Sequence, residues 1–151
     1  MKKADYNVLI AGTGVAGLCC ALNLPADMRV LMLTKAKADE SDSFLAQGGI
    51  CMLRGKDDYF GYFEDTVRAG HYENDPAAVR QMIESSPAMI EELVGYGVQF
   101  ARDENGNFRF TREGGHRRPR ILFHGDETGR EITKTLLAAV RRLPNVTIRE
   151  N

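Results

Sequence analysis

The sequence has no apolar run close to the roughly 20 residues that a helix needs to cross a bilayer. Its N-terminus carries charges but no separate apolar core followed by a cleavage site, so we expect no signal peptide, no membrane partner and a cytoplasmic location. Cysteine is scarce: Cys19, Cys20 and Cys51 show no CxxC or His-rich spacing, which predicts neither a disulfide framework nor a metal site. The net charge of −1 argues against a general nucleic-acid binder.

The remaining composition is that of an ordinary globular chain, with 43% apolar and 27% charged residues in 151, and the length favours one domain. Residues 6–11 are an apolar run typical of a buried parallel strand, and residues 29–34 are a second one. Residues 18–24 between them predict a compact helix in which Cys19 and Cys20 fill core space. Residues 6–34 therefore predict a βαβ unit and an α/β fold.

A glycine pattern, Gly12-x-Gly14-x-x-Gly17, joins the first strand to the helix. The first glycine permits a tight turn, the second permits close approach of a pyrophosphate, and the third permits close packing of helix on strand. The N-terminus of the helix then offers free N–H groups and a positive dipole to phosphates. In this context the pattern predicts dinucleotide binding.

An acidic residue is missing about 20 positions further on, where NAD-binding folds place the group that holds the ribose hydroxyls. The second strand is followed by Lys35, and the first acids after it are Asp39 and Glu40. A lysine disfavours ordinary NAD binding. It leaves two alternatives open: a 2′-phosphate, as in an NADP reductase, or the adenosine half of FAD.

The rest of the chain alternates loops and helices. Residues 35–44 predict a loop, and residues 58–69 predict a helix with Tyr59, Phe60, Phe63 and Val67 on one face. Asp75 and Pro76 predict the start of a helix that runs to about residue 94, with a break or kink near Pro87. Further predictions are a hairpin of residues 98–101 and 108–111, a helix over 128–143 and a strand over 146–149.

The segment from Ser41 to Ile50 contains the sequence AQGG and resembles the loop that wraps FAD in the succinate dehydrogenase/fumarate reductase flavoprotein superfamily. Paired glycines permit a backbone to approach a flat ring system closely. Members in membrane complexes resemble SHTxxAQGG, in which the histidine is attached covalently to FAD. Asp42 stands at that position here. The resemblance therefore implies FAD that is bound noncovalently.

Residues 111–122, which include the sequence TREGGH, and residues 125–132, which include TGRE, resemble the L-aspartate oxidase family. The resemblance extends from Tyr6 to about Val146. It implies a Rossmann-like FAD-binding domain with a βαβ start of the glutathione-reductase type. It also implies that residues 1–151 are the N-terminal part of that domain, with the capping domain and a C-terminal helical domain absent.

The resemblance assigns roles residue by residue. Glu113 would orient L-aspartate, since a carboxylate is a suitable partner for an ammonium group. His116, Arg117, Arg118 and Arg120 could help a dicarboxylate or be solvated loop charges, and we expect the catalytic arginine beyond Asn151. The implied cofactor-binding residues are Gly12, Thr13, Gly14, Val15, Ala16, Gly17, Lys35, Asp42, Ser43, Phe44, Leu45, Ala46, Gln47, Gly48 and Gly49.

The implied function is oxidation of L-aspartate to iminoaspartate in NAD biosynthesis, with O2 or fumarate as electron acceptor and quinolinate synthase as a conceivable partner. On this reading the 151-residue chain supplies the FAD-binding part and does not turn over alone. Three alternatives remain: a fumarate reductase or succinate dehydrogenase-like flavoprotein, a non-catalytic nucleotide-binding module, and an NADP reductase that uses Lys35.

Overall fold

The computed structural model describes residues 5–151, which form two compact units. The first unit contains residues up to Gln47 together with Gly129–Asn151, and the second contains Gly48–Thr128. In chain order the elements are β1 (Val8–Ala11), α1 (Val15–Asn23), β2 (Val30–Thr34), α2 (Asp42–Leu45), β3 (Ile50–Cys51), α3 (Tyr59–Ala69), α4 (Pro76–Tyr96), β4 (Ile121–Leu122), α5 (Thr128–Val140) and β5 (Val146–Glu150).

The first unit is a parallel sheet in the order β1-β2-β5. Ile10 pairs with Met32, which pairs with Ile148, so apolar residues form a row across the sheet. Ile10, Met32 and the α1 residue Leu18 are buried. The opposite face of the sheet is less well covered, since Leu9 on β1 is 62% exposed.

The second unit contains the antiparallel pair β3-β4 and the helices α3 and α4. Its core cluster contains Tyr62 and Val67 from α3 and Val79 and Ile83 from α4. Val79 and Ile83 are four residues apart and therefore share one face of α4. Among residues 5–151, no helix is long and apolar enough to cross a membrane.

The prediction of a βαβ unit is confirmed, because β1 and β2 are parallel neighbours joined through α1. Of the predicted break or kink near Pro87, the break is wrong, because α4 runs through that residue, and the kink stays a prediction. Proline has no N–H to donate to the carbonyl four residues earlier, which belongs to Ile83. The hydroxyl of Ser86 donates to that carbonyl instead, at 2.7 Å, and so satisfies the acceptor.

Four other local predictions need correction. The predicted loop 35–44 contains the start of α2, which Ser41 caps by accepting a hydrogen bond from the N–H of Phe44. Phe60 is 81% exposed and does not share the buried face of α3. Cys20 is also exposed and does not fill core space. The predicted hairpin keeps its turn, but its arms form a single bridge between Arg102 and Phe108 in place of two strands.

Candidate functional site

The glycine turn of the first unit has the geometry that its sequence requires at two positions. Gly12 has a φ of +102°, a left-handed conformation that L side chains rarely adopt. A Cβ added at Gly17 would overlap the carbonyl oxygen of Gly12, so α1 packs against the turn only because Gly17 has no side chain. A Cβ added at Gly14 would meet the hydroxyl of Ser43 at 3.0 Å.

The start of α1 leaves polar groups available. The N–H groups of its first turn have no acceptor within the helix, because the residues four positions earlier lie outside it. The N–H of Val15 donates to the hydroxyl of Ser43 at 3.2 Å, and the N-cap residue Gly14 has no side chain that could cap the helix. The hydroxyl oxygen of Thr13 is buried and has no hydrogen-bond partner among residues 5–151. An unsatisfied buried hydroxyl beside a helix N-terminus is suited to a polar, anionic ligand.

The short helix α2 is held by the start of α5, within the first unit. The N–H of Gly129 donates to the carbonyl oxygen of Ala46 at 2.9 Å. A Cβ at Gly129 would overlap the carbonyl oxygen of Ser43, so the contact depends on glycine. The guanidinium of Arg130 lies 5.6 Å from the centre of the Phe44 ring. Sequence reasoning assigned no role to Gly129, although it lies in the quoted TGRE segment.

The remaining predicted residues of the first unit are exposed or partly buried. Lys35 follows β2 directly and is exposed. Asp42 and Leu45 bound α2 and are exposed, and Ala46 and Gln47 after it are exposed as well. Phe44 and Ser43 are partly buried.

Gly48 and Gly49 belong to the second unit and have different surroundings. A Cβ at Gly49 would overlap the carbonyl oxygen of Leu122, so this glycine is required by the packing of β3 against β4. A Cβ at Gly48 would meet only a carboxylate oxygen of Glu113, at 3.9 Å. Glu113 itself is exposed. The structure therefore brings the end of the AQGG segment next to Glu113.

A buried ionic cluster lies in the same unit. Arg120 has no exposed surface, and its guanidinium donates to both carboxylate oxygens of Asp58, at 2.7 and 3.1 Å. It also donates to Asp65 at 2.8 Å. Asp58 and Asp65 are themselves buried. Arg120 is therefore not a solvated loop charge, and its charge is compensated inside the unit.

Asp65 connects this cluster to the loop that carries Glu113. It accepts hydrogen bonds from the backbone N–H of Arg117 at 2.9 Å and from the guanidinium of the same residue. Burial raises the pKa of the Asp65 carboxyl, but the hydrogen bonds from Arg117 and Arg120 outweigh burial and lower that pKa to about 2. Asp65 is therefore ionised at neutral pH.

His116 lies between the buried arginine and a thiol. Its Nδ1 is 2.9 Å from a guanidinium nitrogen of Arg120, and its Nε2 is 3.2 Å from the Sγ of Cys51. Burial, followed by the charge of Arg120, lowers the pKa of His116. Burial raises the pKa of Cys51 despite a hydrogen bond with Tyr62. Both groups are therefore neutral at neutral pH, and His116 is not a cationic anchor for a carboxylate.

A cavity of about 490 Å³ adjoins His116, Cys51 and Tyr62. Its remaining lining is mainly apolar and includes Ile50, Ala69, Met82, Met89 and Ile90. The lining also includes the hydroxyls of Thr66, Ser85 and Ser86 but no lysine or arginine, so no cationic side chain compensates the charges of a dicarboxylate there.

Comparison with known proteins places the chain in a family. The FAD binding domain family matches residues 7–151. The chain belongs to this FAD-binding domain family. Its cofactor is FAD.

Two curated relatives of the chain are named L-aspartate oxidase. The FAD-binding chain is 44% identical over 149 residues to an L-aspartate oxidase from Clostridium perfringens, covering 99% of this chain and 34% of that enzyme. It is 42% identical to an L-aspartate oxidase from Neisseria meningitidis, covering 98% of this chain and 30% of that enzyme. The chain thus spans about a third of the length of these curated relatives.

Solved structures agree on the fold. Sdh1 from Mycobacterium smegmatis is 28% identical with a TM-score of 0.85, over 96% of this chain and 27% of that chain. A quinol fumarate reductase from E. coli is 24% identical with a TM-score of 0.90, over 98% of this chain and 26% of that chain, and this likeness shows the fold alone. The α/β class of the FAD-binding domain is therefore confirmed.

The residues of the first unit fit the phosphates of FAD. The unpartnered hydroxyl of Thr13 and the N-terminus of α1 provide polar groups for a diphosphate, and Gly12 and Gly17 shape the turn beside them.

Sequence reasoning missed Asp58, Tyr62 and Asp65. These residues are four and three positions apart, so they share one face of a helical segment. Two acids on the face that also carries a buried tyrosine predict a buried cationic partner, because buried charges are almost always paired. The partner, Arg120, is 55 residues further on from Asp65, and no local pattern identifies it.

Proposed function

We propose that this chain supplies the FAD-binding part of a flavoprotein that oxidises L-aspartate to iminoaspartate. The observation that carries the proposal is the 44% identity to an L-aspartate oxidase over 99% of the chain. The TREGGH segment belongs to this matched region, and its Glu113 lies beside Gly48. The relatives are about three times as long as this chain. The activity is therefore proposed from the similarity to them and not from a complete active site in these residues.

FAD is held noncovalently in this proposal, because a carboxylate at Asp42 cannot form the histidyl link of the membrane-complex enzymes. The diphosphate lies at the glycine turn, residues 12–17, and Lys35 contacts the adenosine half. Residues 42–49 wrap the cofactor. The buried hydroxyl of Thr13 supports the placement of the diphosphate, because no residue among 5–151 satisfies that hydroxyl.

Glu113 binds the substrate through its ammonium group in this proposal. The carboxylate is exposed and next to Gly48, so it is accessible to a ligand. A carboxylate attracts the ammonium of aspartate and repels succinate, which carries two carboxylates and no amine. Glu113 therefore orients aspartate and disfavours its non-amine analogue.

The reaction removes two electrons from L-aspartate as a hydride from the α-carbon and releases a proton from the amine, which leaves iminoaspartate. FAD, when bound, supplies the redox chemistry as hydride acceptor. O2 or fumarate would take up these two electrons with two protons and become hydrogen peroxide or succinate. The product belongs to the quinolinate branch of NAD biosynthesis, where quinolinate synthase is the enzyme that would receive it.

A second candidate is a soluble fumarate reductase or succinate dehydrogenase-like flavoprotein. The 28% identity to Sdh1 from Mycobacterium smegmatis favours it. Asp42 and the TREGGH segment count against it, because neither is typical of that branch.

The test uses the chain saturated with FAD. Titration with L-aspartate is expected to perturb the visible absorption of the flavin, and succinate at the same concentration is expected to have a much weaker effect. Glu113→Gln should weaken the aspartate response at least tenfold, and Glu104→Gln, an exposed glutamate of the hairpin turn, should leave it unchanged. An equal or stronger response to succinate would favour the second candidate, and a failure to bind FAD would contradict both.

A further inference from the structure

We propose that Arg120 is a positioning residue, which fixes one neutral tautomer of His116 and holds the turn that carries Glu113. Arg120 is completely buried and donates to two carboxylates and to one imidazole nitrogen. No exposed atom of Arg120 is left to meet a ligand. Its influence on any ligand therefore passes through the groups that it holds.

The tautomer of His116 follows from donor chemistry. A guanidinium has N–H donors only and cannot accept a hydrogen bond. The Nδ1 of His116, 2.9 Å from Arg120, must therefore be the unprotonated acceptor nitrogen. In the neutral ring the hydrogen is then on Nε2, which faces the Sγ of Cys51 at 3.2 Å. The lowered pKa of His116 agrees with a neutral ring.

The turn itself is held at two points. The N–H of His116 donates to the carbonyl oxygen of Glu113 at 3.3 Å, and Gly114 between them has a φ of +56°. One residue after the turn, the N–H of Arg117 donates to Asp65. Arg120 donates to the same carboxylate oxygen, so it fixes the acceptor on which the turn is anchored.

A second histidine, His124, is expected to have the opposite tautomer. The Nδ1 of His124 lies 2.6 Å from the carbonyl oxygen of Gln99, which can only accept. The neutral ring of His124 must therefore carry its hydrogen on Nδ1. Two of the three histidines of the chain are thus expected in opposite tautomers.

The first measurement is a correlation spectrum of the histidine ring nitrogens of the 15N-labelled chain at mildly alkaline pH. His116→Gln and His124→Gln assign the signals. We expect an Nε2–H ring for His116 and an Nδ1–H ring for His124. An Nδ1–H ring for His116 in the wild-type chain would overturn the proposal, whatever the behaviour of any variant.

The second measurement compares Arg120→Lys with Arg80→Lys, a change at an exposed arginine of α4. Lysine keeps the charge but loses the planar fork, so His116 should populate both tautomers in Arg120→Lys and keep one in Arg80→Lys. A single Nε2–H ring in folded Arg120→Lys would also contradict the proposal.

The link to Glu113 rests on the proposed function and is tested separately. In the FAD-loaded chain, Arg120→Lys should weaken the aspartate response about tenfold and leave FAD affinity within twofold. An unchanged aspartate response with an altered tautomer would overturn the role of Arg120 at the substrate. No response to aspartate in the wild-type chain would instead overturn the proposed function, while the tautomer of His116 would still be tested.

Discussion

At the residue scale, Asp65 joins the buried ionic cluster of the second unit to the loop that carries Glu113. It is buried, ionised and bonded to Arg117 and Arg120. Its pKa of about 2 lies below the ordinary value of 3.8. A depressed pKa stabilises the fold above the unfolded-state value, and this contribution is lost as the pH falls towards the folded-state value.

Asp65→Asn is therefore expected to lower the free energy of unfolding and to remove the part of its pH dependence that comes from this carboxyl. The wild-type chain should lose about 2 kcal/mol of unfolding free energy as the pH falls from roughly 4 to 2. The variant should be about 3 kcal/mol less stable at neutral pH, because the buried charge of Arg120 then keeps only Asp58 as a charged partner. Denaturant unfolding followed by circular dichroism at several pH values measures both effects.

Asp57→Asn is the matched control. Asp57 also pairs with an arginine, Arg118, but both side chains are largely exposed. Exposed ion pairs contribute little to stability, so the unfolding free energy of this variant should stay within about 0.5 kcal/mol of the wild-type value. If the two variants lose stability equally, the cluster does not have the role assigned to it.

Gly17→Ala should disrupt the glycine turn. The added Cβ overlaps the carbonyl oxygen of Gly12, so α1 must move away from the turn. We expect FAD affinity to fall at least tenfold, measured by flavin fluorescence. Gly95→Ala, where nothing lies within 4 Å of the added Cβ, should leave affinity unchanged and raise stability by about 0.5–1 kcal/mol. Equal affinities in the two variants would contradict a cofactor site at the turn.

At the element scale, α4 shows how a proline can lie within a continuous helix. Pro87 leaves the carbonyl of Ile83 without its usual donor, and the hydroxyl of Ser86 replaces that donor. The same hydroxyl accepts a hydrogen bond from the N–H of Leu53 at 2.9 Å. Ser86 therefore provides a hydrogen-bond partner both within α4 and to Leu53, which follows β3.

Ser86→Ala is expected to destabilise the chain by about 1–3 kcal/mol, because the carbonyl of buried Ile83 and the N–H of partly buried Leu53 lose their partner. Ser85→Ala removes a hydroxyl that also donates within α4, to Met82, but at an exposed position. It should change stability by less than about 0.5 kcal/mol. Thermal unfolding of the two variants gives the comparison, and an equal small loss in both would show that Ile83 needs no replacement donor.

The helix α2 depends on a contact from a distant part of the chain. Gly129 at the start of α5 approaches the carbonyl oxygens of Ser43 and Ala46 too closely for any side chain. Gly129→Ala should displace α2 and lower FAD affinity several-fold, as measured by equilibrium dialysis. Lys134→Ala, at an exposed position of the same helix, should not change it. Unchanged affinity in Gly129→Ala would remove α2 from the cofactor site.

The sequence predicted those elements whose cause is local. The strands β1 and β2, the helix α1 and the glycine turn follow from apolar runs and glycine spacing within about 30 residues. The sequence did not predict the buried ionic cluster or the contact that holds α2, because both depend on partners far away in the chain. Arg120 reaches Asp58 over 62 residues, and Gly129 contacts Ala46 over 83 positions of the chain. The break expected at Pro87 failed because Ser86, a neighbour, supplies the missing donor.

At the scale of the whole molecule, the two units divide the predicted site residues between them. The first unit contains the glycine turn, Lys35 and α2, and the second contains Gly48, Gly49 and Glu113. The cofactor follows from the family and the turn, whereas the proposed substrate follows from the similarity to L-aspartate oxidases together with the proposed role of Glu113. The two assignments can therefore be tested one at a time.

FAD binding by this chain is tested by equilibrium dialysis of the purified protein against FAD, with NADP as the competing dinucleotide. We predict stoichiometric uptake of FAD, no displacement by NADP, and release of intact FAD when the protein is denatured with acid. Retention of flavin on the denatured chain would contradict noncovalent binding at Asp42. Binding of NADP without FAD would contradict the account as a whole and leave Lys35 as the residue of an NADP site.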